Sequence, residues 1–142
     1  MTSVLFLCTG NSCRSQMAEG FARHLHAGLP EPASAGIEQH GMNPRTVKVM
    51  AEVGVDITGQ YSKTTDELGD RHFDVVVTVC DHAREVCPLW PAATRLVHRS
   101  FTDPAAADHL GGEEEILVVY RQVRDEIRGW IADLPKELSD HH

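Results

Sequence analysis

Val4-Leu5-Phe6-Leu7, an unbroken apolar run, leads straight into Cys8-Thr9-Gly10-Asn11-Ser12-Cys13-Arg14-Ser15. A run that is apolar at every position predicts a strand buried on both faces. The small polar residues after it predict a tight turn, and Ala18, Phe21, Ala22 and Leu25 recur at helical spacing within Ser15–His26. Strand, turn and helix in that order bring the backbone N–H groups of Thr9, Gly10, Asn11, Ser12, Cys13 and Arg14 around one point, at the positive end of a helix dipole. The result is a cradle for an oxyanion. Arg14 closes it with a planar fork that matches two oxygens of a tetrahedral anion. The same field favours thiolate over thiol at Cys8, which makes Cys8 the candidate nucleophile. Gly10 is expected to take a backbone conformation closed to larger residues. Asn11 is expected to shape the loop, because asparagine tolerates left-handed backbone and its amide pins neighbouring turns. Cys13 is expected to point into the core as a small hydrophobe without chemistry of its own.

The rest of the chain alternates. Ala33–Gly36 reads as a short strand, and Pro44–Glu52 as a helix that opens on proline and stops at Gly54, with Val47, Met50 and Ala51 inward. Phe73–Val79 is a β-branched run and Thr94–His98 a weaker strand. Glu113–Leu134 reads as a long helix whose stripe is Ile116, Val119, Val123, Ile127, Trp130 and Leu134, and whose opening Glu113-Glu114-Glu115 suits the dipole. Such alternation predicts an α/β three-layer sandwich, a four-stranded parallel sheet with helices on both faces, formed by residues 1–142 as one domain. Ligands of such sheets bind beyond the carboxyl ends of the strands, where the winding reverses. Cys8 ends the first strand, and Cys80 ends the Val75–Val79 stretch. If those strands are neighbours, the two sulfurs approach each other.

A formal net charge of −8 argues against nucleic acid and anionic membrane as partners. With no signal-like start and no stretch of transmembrane length, a cytoplasmic location is expected, where thiols stay reduced. The cysteines then point to catalysis, redox work or metal binding before structural disulfides. Cys80-Asp-His-Ala-Arg-Glu-Val-Cys87 does not have zinc spacing. Cys80 and Cys87 are either incidental, or a relay in which Cys80 attacks a species on Cys8 and Cys87 then attacks Cys80. Were residues 80 to 87 helical, the two Cα atoms would stand roughly 10 Å apart, beyond the ~7 Å limit of a disulfide. A bond between them therefore requires the segment to unwind.

Taken together, Cys8-Thr-Gly-Asn-Ser-Cys-Arg-Ser-Gln-Met-Ala-Glu19, Ser34-Ala-Gly36, Asn43-Pro44, Val-Thr-Val-Cys80, Cys87-Pro, Phe101-Thr-Asp103-Pro104-Ala105 and Val123-Arg-Asp-Glu-Ile127 resemble the thioredoxin-coupled arsenate reductases. Those are built on the low-molecular-weight protein tyrosine phosphatase fold, and the resemblance runs over nearly the whole chain. It implies arsenate as substrate, with phosphate or sulfate as competing oxyanions. Cys8 would attack arsenic while Asp103 protonates the departing oxygen, and Ser15 would hydrogen-bond the Cys8 sulfur. Cys80 and then Cys87 would carry the disulfide, and thioredoxin would reduce it, with no cofactor. By itself Asp103-Pro104 reads as the start of a turn; only the resemblance makes Asp103 an acid.

Some members of this family hold potassium near the loop through residues matching Asn11, Glu19 and Ser34 with a further aspartate. Lys63 stands at the position of that aspartate, so its ammonium is expected to replace the cation and pair with Glu19. No metal is then expected. The alternative function is a low-molecular-weight tyrosine phosphatase whose extra cysteines guard Cys8. A further alternative is a non-catalytic thiol sensor or anion-binding module. A monomer is the default for a chain of this size.

Overall fold

The computed structural model describes residues 3–8, 10–26, 32–68, 71–79, 93–109 and 111–135. Strand β1 (Val4–Cys8) is buried at every position, as its continuous apolar sequence requires. β2 (Ala33–Gly36), β3 (Phe73–Thr78) and β4 (Ala93–His98) join it in the order β2-β1-β3-β4. All pairings are parallel, with Cys8 opposite Gly36 and Leu7 opposite Thr78. The chain runs outward from β1 to one side and then to the other. The winding therefore reverses at the carboxyl ends of β1 and β3, where such sheets bind ligands.

Three helices accompany the sheet among the described residues: α1 (Arg14–Leu25), α2 (Pro44–Glu52) and α3 (Glu113–Ala132). The side chains of β1 alternate between two apolar clusters, as the pleat dictates. Val4, Phe6 and Cys8 pack with Met17 and Phe21 of α1, Met50 of α2 and Ile127 of α3. Leu5 and Leu7 pack with Ala33, Ala35, Phe73 and Val76. Phe6 and Phe21 have at most 1% of their surface exposed, and burying side chains of this kind contributes about 1.5–3 kcal/mol each relative to leaving them in water.

The helix ends follow the local sequence. Asn43 caps α2 by accepting from the N–H groups of Arg45 and Thr46, and Pro44 occupies the first turn, where no N–H is needed. Gly54, at φ +81°, ends the same helix in left-handed backbone. Glu113, Glu114 and Glu115 sit in the first turn of α3.

Some inward faces differ from the expected stripes. On α2 the buried residues are Thr46, Val49 and Met50, while Ala51 is exposed. Leu25 of α1 is 36% exposed. On α3, Leu117, Tyr120, Arg124 and Ile131 are buried beside Ile116, Val123 and Ile127, and Trp130 is only half-buried. The buried face of α3 is wider than a single stripe because it meets both α1 and α2.

Candidate active site

The loop between β1 and α1 is shaped by one residue. Asn11 is fully buried at φ +51°, the non-glycine residue with left-handed backbone among those described. Its Nδ2 donates to Ser15 Oγ at 2.8 Å, and its Oδ1 accepts from the Lys63 N–H at 2.9 Å. Gly10, expected to carry the unusual conformation, does not: the positive-φ glycines are Gly41 and Gly54. A Cβ on Gly10 would collide with the His40 ring, so the glycine serves close approach. The His40 N–H and the Ser62 hydroxyl both donate to the Gly10 carbonyl at 3.0 Å and so fix that oxygen.

Cys8 is 3% exposed at the end of β1, and its carbonyl accepts from the Ile37 N–H. Cys13 takes the N-cap position of α1 yet gives no side-chain hydrogen bond to the helix. The leading N–H groups of α1 are thus left without a cap of their own, which is the arrangement that binds an anion. Burial pushes the Cys13 thiol up from its ordinary range, so it stays protonated and apolar in character, in contact with the main core.

Arg14 reaches across to the far side of the site. Its Nη1 donates to the Phe101 carbonyl at 3.2 Å, and its Nη2 lies 3.6 Å from Asp103 Oδ2. Phe101 is itself fixed by its N–H, which donates to the Val79 carbonyl, while the Val79 N–H donates to Leu7. The Nε of Arg14 is buried and has no hydrogen-bond partner among the described residues. A buried, charged donor without an acceptor is costly. An oxyanion between loop and guanidinium would satisfy it.

Asp103 combines two expected features. Its Oδ1 accepts from the Ala105 N–H and so caps the 3-10 turn Pro104–Ala107, while its Oδ2 faces Arg14. Half of its side chain remains open to solvent, at 46%. Among the expected site residues, the structure therefore gathers Cys8, Gly10, Asn11, Ser12, Cys13, Arg14, Ser15 and Asp103 at the carboxyl end of β1. Thr9, Cys80 and Cys87 lie outside the described residues.

The expected pairing of Lys63 with Glu19 is not what forms. Glu19, 3% exposed, is taken by Ser34 Oγ at 2.7 Å and by Arg23 Nε at 3.0 Å. Arg23 sits one helical turn along, at i+4, and so competes successfully for the carboxylate. Lys63 Nζ instead donates to the Tyr61 carbonyl at 3.0 Å and lies 4.4 Å from the centre of the Tyr61 ring. Burial pulls the Lys63 ammonium below its usual range, with Glu19 and Glu67 opposing that shift from a distance. Asn11 Oδ1, Glu19 and Ser34 are thus already engaged, with an ammonium nearby. These residues do not fit a potassium ion.

Three supporting groups lie outside the expected site residues. The Phe101 carbonyl, which holds Arg14, carries no sequence signal. Asn43, whose N–H donates to Ser12 O and whose Nδ2 donates to Tyr120 Oη, lies in a recognisable helix start. Tyr120 donates in turn to Asp108 at 2.8 Å, and its helical spacing from Ile116 is the signal that could have found it.

The chain has recognisable relatives in sequence and in fold. The profile of the low molecular weight phosphotyrosine protein phosphatase family matches residues 3–141. An arsenate reductase of Halalkalibacterium halodurans is 51% identical over 124 residues, covering 87% of this chain and 88% of that protein. An arsenate reductase of Bacillus subtilis is 48% identical with the same coverage. Among solved structures, an arsenate reductase in a phosphate-binding state superposes with a TM-score of 0.81 at 33% identity, covering 96% of this chain and 98% of that one. A thioredoxin-dependent arsenate reductase of Corynebacterium glutamicum superposes with a TM-score of 0.70 at 27% identity, covering all of this chain and 64% of that one. With the cradle, the facing arginine and the parallel sheet beneath them, the chain belongs to the low molecular weight phosphotyrosine protein phosphatase family, in the company of relatives that are arsenate reductases.

Proposed function

We propose that this protein reduces arsenate to arsenite by a three-cysteine relay drained by thioredoxin, in a cytoplasmic setting where thiols are kept reduced. The observation that carries the proposal is the unsatisfied, buried Arg14 Nε beside the uncapped start of α1, which together make a built receptor for a tetrahedral oxyanion. Relatives named arsenate reductase at 51% and 48% identity support arsenate as that oxyanion. A thioredoxin-dependent structural relative supports thioredoxin as the reductant.

The chemistry balances as follows. Arsenate settles on the loop N–H groups and the Arg14 fork. The Cys8 thiolate attacks arsenic, and one arsenate oxygen leaves as water with a proton from Asp103. The Cys80 thiolate then attacks the Cys8 sulfur. The S–As bond breaks with its electron pair remaining on arsenic, which is reduced by two electrons and released as arsenite. A Cys8–Cys80 disulfide is left behind. Cys87 attacks the Cys80 sulfur and frees Cys8, and the dithiol of thioredoxin reduces the Cys80–Cys87 pair. Ser15, which accepts from Asn11, keeps its own proton to donate towards the Cys8 sulfur.

The decisive experiment is arsenate-dependent NADPH consumption in the presence of thioredoxin and its reductase, repeated with Cys87→Ser. Single-turnover arsenite release survives that substitution while multiple turnover collapses. Sustained turnover by Cys87→Ser, or none by the unaltered protein, contradicts the proposal. Slow phosphate-ester hydrolysis is expected as a side activity: the family profile is that of a phosphatase, one structural relative is a low molecular weight protein tyrosine phosphatase at TM-score 0.75 and 28% identity, and a thiolate beneath an oxyanion site can attack phosphorus as it does arsenic.

A further inference from the structure

We infer that Gln16 is a positioning residue of the oxyanion loop: its buried carboxamide holds Asn11 in left-handed backbone and so sets where the loop's N–H groups point. This rests on the reading of residues 8–14 as an oxyanion cradle.

Gln16 is fully buried in the first turn of α1, among residues that make the apolar core. Its Nε2 donates to the Asn11 carbonyl at 3.1 Å, to Asn11 Oδ1 at 2.9 Å and to the Tyr61 carbonyl at 3.1 Å. Its Oε1 accepts from Gln60 Nε2 at 2.7 Å, and Gln60 Nε2 also reaches the Gln16 carbonyl at 3.1 Å. The orientation of this amide follows from groups whose roles are unambiguous. Two of its neighbours are backbone carbonyls, which only accept. The third, Asn11 Oδ1, is fixed as an acceptor by the Lys63 N–H. Gln16 must therefore present its NH2 to Asn11, and Gln60 must present its own NH2 to Gln16.

Left-handed backbone is unfavourable for a residue with a Cβ and persists where the surroundings fix it. Gln16 grips Asn11 by both its main-chain and its side-chain oxygen, which restrains ψ and the side-chain torsions of Asn11 together. The grip leaves Asn11 Nδ2 aimed at Ser15 Oγ. Gln16 also ties the loop to the outer wall formed by Gln60, Tyr61 and Lys63, whose neighbour Ser62 holds the Gly10 carbonyl. Without that tie, Asn11 would lose two acceptor contacts at once, and the N–H groups beside it would no longer converge. Gln16 thus acts on the anion through Asn11.

Inorganic phosphate is the probe, and protection of Cys8 from alkylation by iodoacetamide, located by peptide mass spectrometry, is the readout. Gln16→Met keeps the length and packing of the side chain but has no donor. The half-protecting phosphate concentration is expected to rise about tenfold in Gln16→Met, the loss typical of a buried hydrogen-bonding group, at temperatures well below its unfolding transition. Gln60→Ala, which removes the hydrogen bonds from Gln60 Nε2 to the Gln16 side chain and carbonyl, is expected to raise it at least twofold. A value within twofold of the unaltered protein in Gln16→Met overturns the inference. If that variant does not fold, an unchanged value in Gln60→Ala does so. If phosphate fails to protect the unaltered protein, the cradle reading itself falls and this inference with it.

Discussion

The Arg14 guanidinium stands 3.6 Å from the Asp103 carboxylate, so the group proposed to hold the anion also touches the group proposed to deliver a proton. The Phe101 carbonyl anchors the same guanidinium, and an oxyanion bound at its unoccupied Nε would lie between the loop and Asp103. Asp103→Asn keeps the cap on the 3-10 turn but has no acidic proton. Its kcat with arsenate is expected to fall by about 10²–10⁴, the usual worth of a positioned acid, with KM nearly unchanged. Steady-state kinetics with the thioredoxin system check this. A kcat within threefold of the unaltered enzyme removes Asp103 from the acid role.

Arg14→Lys preserves charge but gives up the planar fork and one of its anchors. Arsenate KM is expected to rise at least about tenfold, since a point charge does not replace two aligned donors. The half-protecting phosphate concentration for Cys8 should move in parallel. A change confined to kcat would contradict the assignment of Arg14 to ground-state anion binding.

Stability should depend on pH through Glu52. Hydrogen bonds from Arg121, and then the nearby Arg124, hold its carboxyl down to about 2 in the folded protein, well below the ordinary carboxylate range. A group depressed in this way contributes stability above its unfolded value, and that contribution is lost as pH falls from about 4.5 towards 2. Urea midpoints for the unaltered protein and Glu52→Gln should therefore differ at pH 6 and converge towards pH 3. A gap that stays constant over this range rules out the linkage.

Tyr120→Phe removes one hydroxyl that accepts from Asn43 and donates to Asp108. Tyr120 is fully buried, while Asp108 is exposed and keeps its pair with Arg45, so the variant should lose about 0.5–1.5 kcal/mol in urea unfolding, the net worth of a hydrogen bond. Burial, and then the bond to Asp108, push the phenol up from its ordinary value, so this loss should be level between pH 6 and 9. A loss that grows or shrinks across that interval would mean the hydroxyl ionises.

Among the described residues, Glu19 is engaged by Arg23 and Ser34, with the Lys63 ammonium close by, so the carboxylate expected to help hold a cation is already neutralised. Arsenate reduction should proceed at the same rate in potassium and in sodium at matched ionic strength. Marked stimulation by potassium would show that Lys63 does not hold the region as described.

The strand-loop-helix start was legible because a continuous apolar run, small residues and a helical repeat each follow directly from local chemistry. Asn11 could be read as the loop's hinge for the same reason, as could the Asn43-Pro44 start and Gly54 stop of α2. What escaped depends on contacts from distant parts of the chain. Gly10 is small because His40 crowds it, and nothing next to Gly10 announces His40. Arg23 outcompetes Lys63 for Glu19 through helix geometry that a family pattern does not encode. Tyr120 and Ile131 are buried because α3 meets two helices, which widens its inward face beyond the stripe a single partner would need. Gln16 looks like an ordinary first-turn residue until Gln60 and Tyr61 come up against it.

The relay itself is tested most directly by treating fully reduced protein with arsenate in the absence of any reductant, then blocking free thiols and mapping disulfides by mass spectrometry. A bridge between Cys80 and Cys87, absent when arsenate is omitted and lost in Cys8→Ser, is the expected result. Free thiols at both positions after arsenite has been released would contradict it.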